Sequence, residues 1–173
     1  DIGLRGPVIG EDFWLVGGRL IAPSGIARGA VWISQGHITE IRRAAPKDTR
    51  ALNVRGAYVA SGFIDLHVWG ELEAVSRDAA RGGATGFLTA LGPEPAPALL
   101  RRVVQRSRVS ALPGAECLGL HLEGPFLNPV RGGVLPKQAM RRANSSELAR
   151  LVRAAGGALR LITLASEQPG GLD

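Results

Sequence analysis

The chain has 173 residues with a formal net charge of +6, 45% hydrophobic and 5% aromatic residues, 24 Gly, 11 Pro and one Cys. That composition excludes a disordered or low-complexity chain, and the single cysteine, Cys117, excludes an internal disulfide framework, so a reducing cytoplasm is expected. No run of about 18 uncharged apolar residues and no basic-then-apolar leader occurs, so neither a membrane span nor a signal peptide is expected.

The 21 basic residues run from Arg5 to Arg160, never more than two in a row, with no aromatic residues interleaved. Nucleic-acid binding needs clustered cations and stacking platforms, and the dispersal argues against it. The first residue is Asp1 rather than Met, which suggests an incomplete start.

Residues 1–60 read as a small β unit. Phe13-Trp14-Leu15-Val16, Arg19-Leu20-Ile21, Ala30-Val31-Trp32-Ile33, His37-Ile38-Thr39-Glu40-Ile41 and Ala57-Tyr58-Val59-Ala60 are β-rich runs separated by Gly17-Gly18, Pro23-Ser24-Gly25, Gln35-Gly36 and Arg55-Gly56. Ser34-Gln35-Gly36-His37 predicts a tight hairpin turn.

From residue 61 to residue 173 strands alternate with helices. Gly62-Phe63-Ile64-Asp65-Leu66-His67-Val68 is nearly all apolar, as a strand buried on both faces of a parallel sheet would be. Further strands are predicted over Thr85 to Leu91, Cys117 to Glu123 and Leu159 to Leu164. Between them Leu99, Leu100, Val103 and Val104 share a helical face, with Arg101, Arg102 and Arg106 largely opposite. Leu148, Leu151, Val152 and Ala155 mark the apolar side of another helix, opened by the capping-box-like Asn144-Ser145-Ser146-Glu147 and stopped by Gly156-Gly157. Right-handed crossovers make this a parallel α/β sheet, either open and doubly wound or a segment of an eight-stranded barrel. A complete barrel typically takes roughly 250 residues, so four strands amount to half of one.

Functional groups of parallel α/β folds gather at the carboxyl ends of the strands. His67 lies there on the first of these strands, and His121 with Glu123 on the third. Alternation along a strand turns His121 and Glu123 to one face, and imidazole with carboxylate is a divalent-metal donor set. The competing reading is structural, since a histidine near a strand end commonly serves as a hydrogen-bonded core group and H-x-E has no fixed metal-site meaning. Glu123 is the stronger candidate, because a carboxylate after Leu118-Gly119-Leu120-His121-Leu122 needs a partner to be tolerated there.

Four blocks then carry a family resemblance: Gly62-Phe63-Ile64-Asp65-Leu66-His67, Gly83-Ala84-Thr85-Gly86-Phe87-Leu88-Thr89, the long run from Leu118 to Pro129 that contains His121-Leu122-Glu123-Gly124-Pro125-Phe126-Leu127-Asn128-Pro129, and Ile162-Thr163-Leu164-Ala165-Ser166-Glu167. In order and spacing they resemble the N-terminal half of the N-acetylglucosamine-6-phosphate deacetylases, members of the amidohydrolase superfamily. The resemblance implies a partial (β/α)8 TIM-type barrel of about four parallel strands over residues 61–173, preceded by a β-sandwich-like unit over residues 1–60. It implies metal-assisted removal of an acetyl group from an amino-sugar phosphate, with zinc or iron acidifying a water and an aspartate shuttling the proton. Glu123 matches the metal-ligating glutamate, and His67 matches the first histidine of an HxH pair. Val134 and Leu135 stand at substrate-contacting positions, and self-association is expected by the same resemblance.

The departures are specific. Trp69 holds the second HxH position, Leu135 stands where a substrate-contacting histidine is usual, Ser166 replaces a proline, and the stretch from Gly70 to Gly82 is short for the family. The resemblance places two more ligand histidines and the catalytic aspartate on later barrel strands. Residues 1–173 therefore read as a truncated deacetylase, inactive as an isolated chain. The alternatives are a cyclic amide hydrolase of the same superfamily and a non-catalytic pseudoenzyme, assembly subunit or gene fragment. An open half-barrel would expose sheet edges that need covering.

Overall fold

The computed structural model describes residues 11–109 and 111–171, so Asp1, Arg5 and the rest of residues 1–10 of the β unit lie outside the described residues. The chain divides into two compact units between Ser61 and Gly62.

In the first unit β1 (Phe13–Ala22), β2 (Gly25–Ser34), β3 (His37–Arg42), β4 (Ala51–Asn53) and β5 (Tyr58–Val59) form one five-stranded sheet in the order β3-β2-β1-β4, with β5 also on β1. The first three strands are antiparallel neighbours, whereas β4 and β5 run parallel to β1. The runs expected as two strands, Phe13 to Val16 and Arg19 to Ile21, are one strand. Gly17, at φ +71°, takes up a β-bulge where the register shifts between Leu15 and Gly18, so pairing resumes instead of ending. The turn after β2 forms as expected, with φ +49° at Gln35 and +81° at Gly36, the left-handed pair whose twist suits a two-residue hairpin. Asp12 fastens it by accepting from Ser34 Oγ at 2.9 Å and from the Gln35 amide at 3.1 Å. Trp14, Leu20, Ala30 and Val31 are buried, and Trp14 packs against Trp32 with ring centroids 5.2 Å apart.

The second unit runs β6 (Phe63–Val68), α1 (Leu72–Arg81), β7 (Ala84–Leu91), α2 (Ala96–Arg106), β8 (Glu116–Glu123), α3 (Ser145–Ala155) and β9 (Leu159–Thr163). Its four strands are all parallel, in the order β6-β7-β8-β9, and curl as half of a barrel. The core lies where β7 and β8 meet α2 and α3, through Leu91, Leu99, Val103, Leu120, Leu122, Leu151 and Ala155. Leu99 and Val103 are buried while Arg101 and Arg102 are exposed, so α2 is amphipathic in the sense its sequence predicts. α3 starts on Asn144, whose side chain accepts from the Glu147 amide at 2.8 Å, and stops at left-handed Gly156.

Two expectations need correction. β6 is not buried on both faces: Phe63 is 71% exposed, and Ile64 and Leu66 are 55% exposed. Among the described residues it pairs with β7 alone, so its other edge has no neighbour, and an apolar run records a strand's hydrophobicity without recording its place in the sheet. Val152 is likewise outside the core, because α3 rests on Leu151 and Ala155 with Ala154 beside them.

α1 is anchored by a polar residue. Ser76 is fully buried; its hydroxyl donates to the Ala115 carbonyl at 2.8 Å and accepts from the Gly114 amide at 2.9 Å. Glycine is required at 114, since a Cβ there would come within 2.3 Å of the Ser76 carbonyl oxygen. Among the described residues no helix is long and apolar enough to cross a membrane.

Candidate functional site

The carboxyl ends of the second unit's strands open into a cleft of about 800 Å³. His67 from β6, Glu123 from β8 and Thr163 from β9 line it, together with Trp69, Asn128, Arg131, Val134, Leu135 and Glu167 from the loops. His67 reaches across β7 to meet both groups of β8. Its Nδ1 lies 3.0 Å from His121 Nδ1, and its Nε2 lies 3.4 Å from Glu123 Oε2. His121 and Glu123 thus share a face, as strand alternation requires.

His121 is a strut. Only 7% of it is exposed; Nδ1 lies 2.8 Å from the Leu66 carbonyl and Nε2 lies 2.8 Å from Thr163 Oγ1. A carbonyl can only accept, so Nδ1 carries the proton and Nε2 accepts from the Thr163 hydroxyl. One side chain of β8 therefore ties β6 to β9 across the concave face of the sheet. With both nitrogens used, the structural reading of His121 is the one the geometry favours.

His67 Nε2 is a contested atom. The Trp69 indole N–H, a donor only, points at it from 3.0 Å and requires an acceptor there. Glu123 Oε2 on its other side requires a donor or a cation. Two ligand atoms each about 2 Å from a tetrahedral ion sit about 3.3 Å apart, so the His67 and Glu123 pair has the spacing of two positions of a zinc-like coordination sphere. Among the described residues no group of three or more such side chains is arranged to hold a metal. Catalytic zinc sites use three protein ligands, and these residues offer two.

The loop after β8 shapes the rest of the cleft. Its backbone is laced to the end of β9: the Gly124 amide donates to the Thr163 carbonyl at 3.1 Å, and the Ala165 amide donates to the Phe126 carbonyl at 2.8 Å. Asn128 caps the 3-10 turn Pro129–Arg131 by accepting from the Val130 amide at 3.0 Å, and its Nδ2 donates to Glu167 Oε1 at 3.0 Å. That Asn128 hydrogen bond, helped by the Glu167 backbone amide and by the Arg131 charge, holds the Glu167 carboxyl below its ordinary range. Val134 is fully exposed at the mouth, and Leu135 is half-buried with its amide on the Gly132 carbonyl at 3.0 Å.

Sequence reasoning singles out His67, His121, Glu123, Val134 and Leu135, and all but His121 line the cleft. It assigns no role to Thr163, Arg131 or Glu167. For Asn128 a signal exists, because Asn followed by Pro is the cap-and-first-turn pattern of a helical start. Nothing local marks Thr163, whose partner lies 42 residues away.

No protein-family model matches the chain. A curated relative, the N-acetylglucosamine-6-phosphate deacetylase of Bacillus subtilis (strain 168), is 29% identical over 163 residues, spanning 83% of this chain and 41% of the relative. The N-acetylgalactosamine-6-phosphate deacetylase of Escherichia coli O157:H7 is 31% identical over 125 residues, spanning 64% of this chain and 33% of the relative. Among solved structures, a mutant N-acetyl-D-glucosamine-6-phosphate deacetylase from Mycobacterium smegmatis in complex with N-acetyl-D-glucosamine-6-phosphate superposes with a TM-score of 0.73 at 26% identity, over 94% of this chain and 46% of that one. In sequence and in fold the chain is thus related to the N-acetylglucosamine-6-phosphate deacetylases, and it spans 41% of the length of the Bacillus relative.

Proposed function

We propose that the chain is part of a metal-dependent amide hydrolase that removes the acetyl group from N-acetylglucosamine 6-phosphate in the cytoplasm. The convergence of Glu123 Oε2 and His67 Nε2, 3.4 Å apart in a cleft at the carboxyl ends of the strands, carries this reading. Glu123 would be the first protein ligand of a divalent ion, zinc or iron, and His67 the second. Such an ion, when bound, polarises the amide carbonyl and acidifies a water.

The chain's own residues bind and orient. His121 and Thr163 hold the β6, β8 and β9 strand ends in register, so that Glu123 and His67 keep their separation. Asn128 sets the loop that carries Arg131, an exposed guanidinium suited to the substrate phosphate. Val134 and Leu135 contact the sugar from the same loop. Residues 1–60 serve as the β-sandwich part and residues 61–173 as the first half of the barrel.

Two ligands are too few for a tight catalytic site, so residues 1–173 alone should not turn over substrate. Acetate release and bound metal measured on the purified 173-residue chain test this: release at the level of a blank is expected, and turnover with stoichiometric metal would overturn it. The exposed Phe63, Ile64 and Leu66 of β6 favour a second reading, a non-catalytic subunit that associates with its own kind through this strand. A concentration-independent monomer mass in light scattering would exclude that reading.

A further inference from the structure

The β unit carries a charge cluster that the strand-end cleft does not use. Arg19 on β1, Arg28 on β2 and Arg43, next after β3, line a cleft of about 560 Å³ whose other lining residues are four glycines. Scattered along the sequence, the three cations are gathered by the pairing of β1 with β2 and of β2 with β3. Arg28 lies directly opposite Arg19. The Arg19 amide donates away from β2, to the Ala57 carbonyl at 2.8 Å, so the two arginines form a non-hydrogen-bonded pair, the kind in which opposed side chains come closest. Like charges so placed repel. Among the described residues none of the three arginines has a carboxylate partner, and no carboxylate lines the cleft. Arg19 is also held in place: its Nε donates to the Gly56 carbonyl at 2.9 Å, its Nη1 donates to the Tyr58 hydroxyl at 3.3 Å, and its guanidinium carbon stands 4.4 Å from the centre of the Tyr58 ring. Those bonds take two of the five N–H groups of a guanidinium, so a fixed cation keeps donors to spare. Arg28 and Arg43 are exposed and make no side-chain hydrogen bond among the described residues.

We propose that Arg19, Arg28 and Arg43 form a binding site for a phosphate dianion, free or as the monoester of a small molecule. A phosphate group brings close to two negative charges and at least three acceptor oxygens, enough to bridge several guanidinium groups at once. Bridging turns the repulsion between Arg19 and Arg28 into shared attraction. A carboxylate has one charge and two oxygens, which a single guanidinium fork satisfies. The glycine lining leaves no side chain to hold off the phosphate or, in an ester, the group that carries it. All seven lining residues belong to the first compact unit, so the site depends neither on Arg131 nor on the pairing of His67 with Glu123.

Titration of the 173-residue chain at fixed ionic strength with sodium phosphate, glucose 6-phosphate and sodium acetate, followed by calorimetry and by backbone amide NMR, tests the site. Phosphate should bind saturably and shift the amides of Arg19, Arg28 and Gly29, and acetate should leave them in place. R28Q and R43Q, each of which removes one charge at an exposed position, should weaken phosphate binding about tenfold, the equivalent of one charge-assisted hydrogen bond. If one variant does not fold, the other carries the test. Glucose 6-phosphate binding more tightly than inorganic phosphate assigns the site to an ester, and equal or weaker binding assigns it to the free ion; both sustain the site. Shifts that do not saturate, that acetate reproduces, or that persist undiminished in either variant overturn it. Phosphate that shifts only the amides around Arg131 overturns it as well, and leaves the proposed amide hydrolase standing.

Discussion

The inner strands of the second unit, β7 and β8, and its outer strands, β6 and β9, are written in nearly the same apolar alphabet and end in different surroundings. Phe87, Leu120 and Leu122 on the inner pair are fully buried, whereas Phe63, Ile64 and Leu66 on β6 and Leu161 on β9 are exposed. Inner strands have a neighbour on each edge, and α2 and α3 cover them. The outer ones have one neighbour each among the described residues. The polar cluster spans this divide, since His67 and Thr163 come from the outer strands and are held by His121 and Glu123 of the buried β8. The buried centre holds the cluster, and two of its four polar side chains come from the edges.

Substitutions can break the comparison. Phe87→Ala should cost about 3–5 kcal/mol in urea unfolding, the transfer of a large side chain plus the cavity it leaves. A much smaller loss would mean that the inner strands are no better packed than the outer ones. His121→Ala should come next, at about 1–3 kcal/mol, because it strips the Leu66 carbonyl and the Thr163 hydroxyl of a partner at once. If thermal unfolding shows no loss, His121 is not the strut between edge and centre. Phe63→Ala and Val152→Ala should both stay within about 0.5 kcal/mol of the unsubstituted chain, as exposed positions do. A large effect at Phe63 would show that something covers β6 in solution.

The smallest effect sharpens the electrostatics of the cleft. Glu167 is held below its ordinary range chiefly by Asn128, so its ionised form is favoured by the fold. What this contributes to stability is present above the unfolded-state value and is lost as pH falls through the lower, folded value. Asn128→Ala should move the Glu167 titration up towards the ordinary carboxylate range, read from its carboxyl carbon by NMR. An unmoved titration would assign the shift to the Glu167 backbone amide and Arg131 instead.

Much of this architecture is legible before any coordinates. The hairpin at Gln35-Gly36, the covering face of α2, the cap and stop of α3 and the inner strands all follow from local patterns, because each is decided within a turn or two of chain. β4 escapes such a reading because Ala51, Leu52 and Asn53 are too few to show a period, and they are held only by pairing with β1. α1 resists for another reason: its fully buried residue is Ser76, a polar side chain whose partners at Gly114 and Ala115 lie 38 and 39 residues away. In the site, Glu123 and His67 can be picked out as residue types at strand ends. Their approach to 3.4 Å cannot, since it depends on how far the sheet curls across β7.

The amino-acid sequence by itself determined the order of the four parallel strands with α2 and α3 between them, the family that its motif blocks resemble and the candidates His67 and Glu123. Periodicity, capping and motif spacing are local properties, and a linear chain displays them. Tertiary structure alone decided that β6 is exposed, that His121 is a strut and that His67 Nε2 comes within 3.4 Å of Glu123 Oε2. Those outcomes depend on hydrogen-bond and packing distances of about 3 Å between atoms far apart in the chain, and only the fold brings such atoms together.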